Sequence, residues 1–407
     1  TEMKRLQRLA QHDAAYLLLF IFLVALNLRG PVTGLPPLLD RISQDLQLSS
    51  TQLGLMTSLP LLAFALFAPV TSWLTRYFQI ERLLASGVGL IAIGMIIRSF
   101  GSINTLYLGA VFIGAGIAIG NVLLPSLLKR EFPNYIVQLT AIYVLMMSIG
   151  GFLMSSFAVP LSLFAEQNPI VLPMASSSMS GWSFALICQM ALILLPLIAW
   201  FSFKITQHQI PQTGTVEITQ KVWRSVTAWQ VAGFLAFNSL INYIVVAWVP
   251  SILINNGYTD STAGLYQGYL QLAGALPSLI LAPFLSRLGS HRRLCLSATS
   301  LTCLSVFGFL FLPNWSGLWS VCFGFGTSMG FILGLSFVGL RTNSPKQAAA
   351  LSGMAQLIGY TLAAVGPVLI GALYDWQGSW QAPLYVILMI CIIWIMLGWM
   401  ASPKPKT

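Results

Sequence analysis

Long apolar runs alternate with short polar turns along the whole chain, and their lengths predict membrane-spanning helices. Each run approaches the roughly 20 apolar residues that an α-helix needs to cross a bilayer core. The stretch 160–181 is polar and rich in Pro and Ser at both ends, so it predicts a loop and not a further span. The twelve predicted spans cover residues 15–39, 53–74, 83–100, 104–128, 135–160, 182–203, 227–254, 262–286, 292–312, 316–340, 347–373 and 380–401.

Composition agrees with this pattern. Charged residues make up 7% of the chain, compared with about 25% in an ordinary soluble domain. Hydrophobic residues make up 57%, and the mean hydropathy is +0.81. A water-soluble protein of 407 residues could not bury that much apolar surface, so the sequence predicts a polytopic, all-α membrane protein.

The basic residues are distributed unequally between the two sides of the predicted spans. Seventeen of the 20 Lys and Arg residues fall on the side of both termini, whereas Arg41 and Arg98 fall on the other side and Arg29 lies within a span. That other side also collects five acidic residues, namely Asp40, Asp45, Glu166, Asp260 and Asp375. Because basic loops are retained in the cytoplasm, both termini are predicted to be cytoplasmic. The net charge of +10 therefore indicates contact with anionic lipid headgroups and not with nucleic acid.

The chain contains an internal repeat. The turn SWLTRYFQIERLL after the second span matches PFLSRLGSHRRLC after the eighth, with Arg76 aligned to Arg287 at an offset of 211 residues. On the first and seventh spans, Pro37 aligns with Pro250 at an offset of 213 residues. A six-helix unit used twice with the same topology explains these offsets. The predicted units are an N-terminal six-helix bundle at 1–203, a polar cytoplasmic linker at 204–226 and a C-terminal six-helix bundle at 227–407.

The repeated turn, L-[ST]-R-x5-R-L, resembles a degenerate form of the loop between helices 2 and 3 of major facilitator transporters. Thr75 stands where that loop usually has an aspartate, so the usual charge lock between the halves is in doubt. Four longer segments are similar to the branch that transports cyanate and 2-nitroimidazole, and more closely to its nitroimidazole transporters. These segments are 28–40, 120–133, 228–253 and 349–371.

The resemblance implies a twelve-helix fold of two pseudo-symmetric bundles in a bacterial inner membrane. It also implies a central cavity lined mainly by helices 1, 4, 7 and 10 and flanked by helices 2, 5, 8 and 11. Such a protein would work by alternating access between its two halves.

Arg29 is the most informative single residue. It lies roughly 20 and 15 Å from the two ends of the predicted span 15–39, at about 1.5 Å per helical residue. An arginine at this depth costs at least about 2.5–3.5 kcal/mol on insertion scales, and such residues face a bundle interior or a water-filled cavity. No carboxylate lies in any other predicted span to neutralise it.

The backbone around Arg29 is predicted to be broken. Prolines at positions 31, 36 and 37 cannot donate hydrogen bonds to the carbonyls of residues 27, 32 and 33, and transporters place binding sites at such interruptions. Thr33 lies one turn from Arg29 on the same face. A guanidinium beside a hydroxyl is suited to a carboxylate, a nitro group or a linear anion. The alternative is that Arg29 bonds the freed carbonyls and only holds helices together.

Amide side chains supply further candidates for substrate binding. A spacing of four residues places both members of a pair on one helix face, which must turn away from lipid. Such amides either line a cavity or form interhelical hydrogen bonds, and the sequence leaves both roles open. Tyr243 and Trp248 could stack on a planar ring. The candidates are Asn121 on the fourth span, Asn238 and Asn242 on the seventh, Gln267 and Gln271 on the eighth, and Gln356 and Tyr360 on the eleventh.

The sequence offers no candidate catalytic or metal site. The five cysteines all fall within spans without a CxxC pair, and no Ser/His, paired-acid or metal-ligating set lies in the spans, so neither an enzyme nor a cofactor is indicated. No titratable carboxylate or histidine lies in the predicted spans. Transport driven by the charge of the cargo and simple exchange are therefore both preferred to coupling through a dedicated proton site.

A channel or receptor is disfavoured because a two-copy bundle does not form a symmetric pore.

Together these patterns predict a secondary transporter for a small, planar, polar or anionic solute, similar to cyanate or to a nitroimidazole. Its predicted partners are that small molecule and the lipid bilayer, with no nucleic acid, and it is expected to function as a monomer. A broad-specificity drug exporter of the same fold is the alternative.

Overall fold

A computed structural model describes residues 2–75, 77–170, 179–202, 220–280, 291–343 and 345–403. Within these residues, eleven helical segments are long and apolar enough to cross a membrane. Ten are numbered by their place among the twelve predicted spans. They are α2 (Ser50–Leu74), α3 (Ile80–Arg98), α4 (Ile103–Glu131), α5 (Ile136–Gln167), α6 (Gly181–Cys188 and Met190–Ser202), α7 (Val226–Asn255), α9 (His291–Phe311), α10 (Ser316–Leu340), α11 (Pro345–Gln377) and α12 (Gln381–Ala401).

The eleventh is the first spanning segment, α1, which is broken as its prolines predict. It comprises a helix at Glu2–Ala25, a four-residue helix at Gly30–Thr33, a 3-10 turn at Pro36–Leu38 and a helix at Leu39–Leu46. The eighth segment, α8, comprises Asp260–Ala273 and Leu276–Ile280, and the rest of its predicted span lies outside the described residues. The twelve predicted spans are therefore all represented by helix.

Two predicted boundaries differ from the structure. Helix α5 continues through Pro160 to Gln167, so the loop predicted from residue 160 begins only after it. A proline within a long membrane helix is tolerated where neighbouring helices pack against it. In the predicted linker 204–226, residues 204–219 lie outside the described part, and the remainder forms a short helix at Gln220–Trp223 and the start of α7.

The turns between successive helices fall on two faces of the bundle. The linker face carries the described start of α1, the end of α6, the start of α7 and the end of α12. The far face carries the turns that follow α1, α3, α7, α9 and α11, together with the end of α5 and the start of α6. We call the helices before residue 203 the N half and those from residue 220 onward the C half.

The two halves pack together at the far face. One cluster of buried apolar residues lies within the N half. A second fills the C half and continues across the far face into Leu38, Leu39 and Met56 of the N half. The halves therefore share a core at the far face, and a smaller cluster of Leu61 with Ala363 and Ala364 joins them nearer the middle of the helices.

Arg41 ties three helices together in this contact. Its Nη1 lies 2.5 Å from Glu166 Oε1 of α5, and its Nε lies 3.0 Å from Asp260 Oδ2 of α8. The preceding residue, Asp40, accepts a hydrogen bond of 2.6 Å from the Ser251 hydroxyl of α7. All five acidic residues that the sequence assigns to one side lie at this face.

Asp375 forms a second link between the two halves at the far face. Its carboxylate accepts hydrogen bonds from the backbone N–H groups of Ser50 and Thr51, at 2.9 and 2.8 Å, and from the Thr51 hydroxyl at 2.7 Å. An aspartate of α11 thus caps the N-terminus of α2, where a negative charge is favourable. The backbones touch here, because a Cβ atom on Gly371 would lie 2.4 Å from the Ser50 carbonyl oxygen.

We expect Asp375→Ala to loosen the far face. The substitution removes three hydrogen bonds between the halves, and each contributes about 1 kcal/mol or less at an exposed site. The population with separated halves should rise several-fold. Double electron–electron resonance between labels at Asn168→Cys and Ser379→Cys, after replacement of the native cysteines, measures this population.

A matched control is Asp45→Asn. Asp45 accepts a hydrogen bond of 2.8 Å from the Trp182 indole, which belongs to the same half. This change should leave the distance distribution as in the unmodified protein. Equal distributions for Asp375→Ala and Asp45→Asn would contradict the role given to Asp375.

Candidate functional site

A cavity of about 1930 Å³ separates the two halves. Its described walls come from α1, α2, α4, α5, α7, α8, α10 and α11, the eight helices that the resemblance implies. The lining reaches Trp73, Phe78 and Ser352 near the linker face and goes no further toward the far face than the middle of the helices. The cavity therefore opens at the linker face and is closed at the far face.

Arg29 lies at the break in α1 and contributes to the wall of this cavity. Its side chain is half-buried, and Nη1 donates a hydrogen bond of 3.2 Å to the Ser148 hydroxyl of α5. Among the described lining residues, it is the one that carries a charge. The cavity thus contains a guanidinium whose protein partner in the described residues is a neutral hydroxyl.

Three tyrosines line the same cavity as Arg29. They are Tyr143 of α5, Tyr243 of α7 and Tyr360 of α11. The Tyr360 ring lies against Phe64 of α2, with a centroid distance of 4.1 Å. Aromatic side chains from both halves therefore meet in the wall of this cavity. The sequence singled out Tyr243 and Tyr360 but gave no reason to choose Tyr143, Phe64 or Ser148.

Most of the predicted amide candidates face the cavity. Asn121 accepts a hydrogen bond of 3.2 Å from the Tyr143 hydroxyl. The Oδ1 atom of Asn238 is buried and has no hydrogen-bond partner in the described residues. The side chains of Asn242, Gln271 and Gln356 also line the cavity, and the described part of the protein provides no hydrogen bond to them. Unpartnered amides can both donate to and accept from a bound solute.

Two candidates do not face the cavity in the structure. Gln267 is buried, and its Nε2 donates a hydrogen bond of 3.0 Å to the Thr33 carbonyl, to which Ser155 also donates at 2.9 Å. Gln267 therefore satisfies a carbonyl freed by the break in α1. Trp248 is buried as well and donates to the Pro367 carbonyl at 3.0 Å, so it is a packing residue.

Thr33 lines the cavity, but its hydroxyl is directed back along its own turn. It lies 3.3 Å from the Arg29 carbonyl and 3.4 Å from the Gly30 carbonyl, both of which can accept from it. The hydroxyl must rotate to reach a solute bound at Arg29.

Arg98 corrects the sequence analysis, which placed it among the residues on the outside. It ends α3 and is buried, with Nη1 donating to the Pro31 carbonyl and Nη2 to Gln189 Oε1, both at 2.6 Å. Gln189 in turn donates to the Gly34 carbonyl at 3.1 Å. The role considered for Arg29, bonding the carbonyls of the broken helix, thus belongs to Arg98. The signal in the sequence was that Arg98 departs from the positive-inside pattern.

Close packing also fixes the break in α1. A Cβ atom on Gly150 of α5 would lie 1.8 Å from the Leu26 carbonyl oxygen, so only glycine allows this approach. Ser148, the partner of Arg29, lies two residues earlier on the same helix. The position of Arg29 therefore depends on the contact between α1 and α5.

The expectation that no carboxylate lies in the spans is wrong. Helix α3 begins earlier than predicted and includes Glu81, which is fully buried. Its Oε1 is paired with Arg130 Nη2 of α4, and Arg130 Nε also lies 2.6 Å from Glu131. This group does not line the cavity, so it does not neutralise Arg29.

These features define a multi-pass helical membrane protein with a charged central cavity that is open at one face. A family model described as Major Facilitator Superfamily matches residues 17–364. The chain belongs to this superfamily, and its twelve-helix fold of two pseudo-symmetric six-helix bundles is that of the family.

Individual relatives and a solved structure agree with this family assignment. The chain is 41% identical over 379 residues, 93% of either chain, to the 2-nitroimidazole transporter of Escherichia coli (strain K12). It is 24% identical over 383 residues, 94% of this chain and 95% of the relative, to the cyanate transport protein CynX of the same organism. It also resembles a bacterial homolog of the human lysosomal transporter Spinster in an inward-facing, occupied conformation. That likeness has a TM-score of 0.76 at 15% identity and covers 96% of this chain and 99% of the other. The predicted branch of the superfamily is confirmed.

We expect Gln189→Leu to destabilise the protein by about 1–3 kcal/mol, because it leaves a buried guanidinium N–H and the Gly34 carbonyl without partners. A lower thermal unfolding midpoint of the detergent-purified protein would report this loss. Gln11→Leu, at an exposed position, is the control and should unfold as the unmodified protein does. Equal midpoints for the two variants would show that the Arg98 network does not hold α1.

Proposed function

We propose that the protein is a secondary active transporter that carries a small, planar, polar or anionic solute across the inner membrane by alternating access. The observation that supports this most strongly is the guanidinium of Arg29, which faces a large cavity between the halves with a single neutral protein partner. The positive-inside pattern assigns the linker face to the cytoplasm. On that assignment, the cavity opens inward.

The chemistry of the site suggests how the solute is held. The planar fork of Arg29 offers parallel N–H donors to a carboxylate, a nitro group or a linear anion. Tyr243 and Tyr360 are positioned to flank a flat solute, and Gln271 and Gln356 offer hydrogen bonds from the C half. The named cargoes of the two relatives, a nitroimidazole and cyanate, are both small and planar or linear, which agrees with such a site.

The location of the site suggests how transport proceeds. Because α1 and α5 belong to the N half and α7 and α11 to the C half, a solute at Arg29 touches both. Rocking of the halves about this point would open the far face, where Arg41 and Asp375 hold the contact. One chain contributes helices from both halves to the cavity, and we expect it to function as a monomer.

We expect Arg29→Ala to weaken solute binding by at least about tenfold, because hydrogen bonds to a charged group contribute about 1.5–3 kcal/mol. Arg29→Lys keeps the charge but loses the fork, so its loss should be smaller. Thermal-shift titration with cyanate, nitrate, 2-nitroimidazole and small carboxylates measures the binding, and uptake at matched membrane abundance measures transport.

Arg224→Ala removes an exposed arginine that does not line the cavity and serves as the control. It should bind and transport as the unmodified protein does. Wild-type binding and uptake by both Arg29 variants would refute the proposed role of Arg29.

The size of the cavity favours a second candidate function, the export of diverse drugs. Its volume of about 1930 Å³ exceeds the roughly 300–1,000 Å³ of ordinary ligand pockets. A drug exporter should move chemically unrelated cationic and neutral dyes, and Arg29→Ala should leave that movement intact. We expect no dye transport, because an unpaired guanidinium disfavours cationic solutes. Efflux of several unrelated dyes from cells that express the protein would favour the second candidate.

A further inference from the structure

The charge of the cavity constrains how the empty protein can reorient to its other conformation after releasing its cargo. The guanidinium of Arg29 carries one positive charge. Among the described residues that line the cavity, no side chain carries a negative charge. An empty site therefore keeps one net positive charge in every conformation.

The described carboxylates do not line the cavity that holds Arg29. At the far face, Glu166 and Asp260 are paired with Arg41, and Asp40 is bonded to Ser251. At the linker face, Glu81 is paired with Arg130. Within the described part of the protein, the cavity wall therefore holds no counter-charge for Arg29.

Reorientation requires the cavity to close around this charge. With the linker face open, water in the cavity solvates the guanidinium. In a closed intermediate, the aromatic rings that line the cavity, those of Tyr143, Tyr243, Tyr360 and Phe64, would replace this water. The known penalty for an arginine in an apolar membrane environment slows such a step by roughly 100-fold. A bound monoanion removes the net charge and with it the penalty.

We infer that the protein is an anion exchanger. It reorients its binding site only when a small monoanion is bound at Arg29, and it therefore exchanges one anion for another. This inference rests on the proposed function, because it requires anionic cargo. Its substrates are small monoanions such as cyanate, nitrate and monocarboxylates. A dianion leaves an excess negative charge on the closed state and is a poor exchange partner.

Proteoliposomes loaded with different anions test the inference. One set contains potassium cyanate and the other potassium sulfate, with equal potassium on both sides and valinomycin to hold the membrane potential at zero. Uptake of radiolabelled cyanate should be at least tenfold faster into the cyanate-loaded set. Nitrate and benzoate inside the liposomes should accelerate uptake in the same way.

Two outcomes would overturn the inference in distinguishable ways. Equal uptake into both sets would show that the empty carrier returns freely, and it would leave the proposed anion transport standing. Absence of uptake for cyanate, nitrate and benzoate alike would overturn the proposed function and the exchange together.

Arg29→Gln provides a test that does not depend on transport. Without the charge, the variant should open its far face in sulfate buffer. The unmodified protein should open it only when cyanate is added. Double electron–electron resonance between labels at Asn168→Cys and Ser379→Cys reports this opening, and Arg224→Gln should behave as the unmodified protein. Anion-independent opening by the unmodified protein would contradict the exchange mechanism.

Discussion

An unneutralised guanidinium in the middle of a membrane protein is the constraint on which this structure depends. Arg29 is tolerable there because it faces a large cavity that is open at the linker face and has the Ser148 hydroxyl beside it. The break in α1 directs it to that place, and the break requires partners for the carbonyls that proline leaves free. Ser155, Gln267 and Arg98 supply those partners from three other helices.

Two arginines of the N half illustrate how surroundings decide the role of a residue. Arg98 is buried among acceptors, and its Nη atoms bond the Pro31 carbonyl and Gln189, so it serves the backbone of α1. Arg29 lies only two residues from Pro31 but has one neutral partner and faces the cavity. The buried arginine therefore stabilises the broken segment that presents the accessible one.

The spans, the two-bundle fold and the location of Arg29 in a cavity wall could all be predicted, because each follows from local composition or from position along the chain. The role of Gln267 could not, because a four-residue spacing identifies a helix face but not the helix that it meets. Asn242 and Gln271 face water while Gln267 meets a freed carbonyl on α1, and only the packing of α8 against α1 decides this. Arg98 escaped prediction for the same reason, since its partners lie 67 and 91 residues away in the chain.

The same segment, α1, also connects the site with the far face. Asp40 and Arg41 follow the break and bond α5, α7 and α8, whereas Arg29 precedes it and faces the cavity. The described charges at the far face have hydrogen-bond or ion-pair partners across several helices, so they hold that contact together. The charge at Arg29 has one neutral partner and faces the cavity. On the proposed mechanism, a solute that binds at Arg29 changes the net charge of the cavity and thereby controls reorientation, and the far-face contact breaks as a consequence.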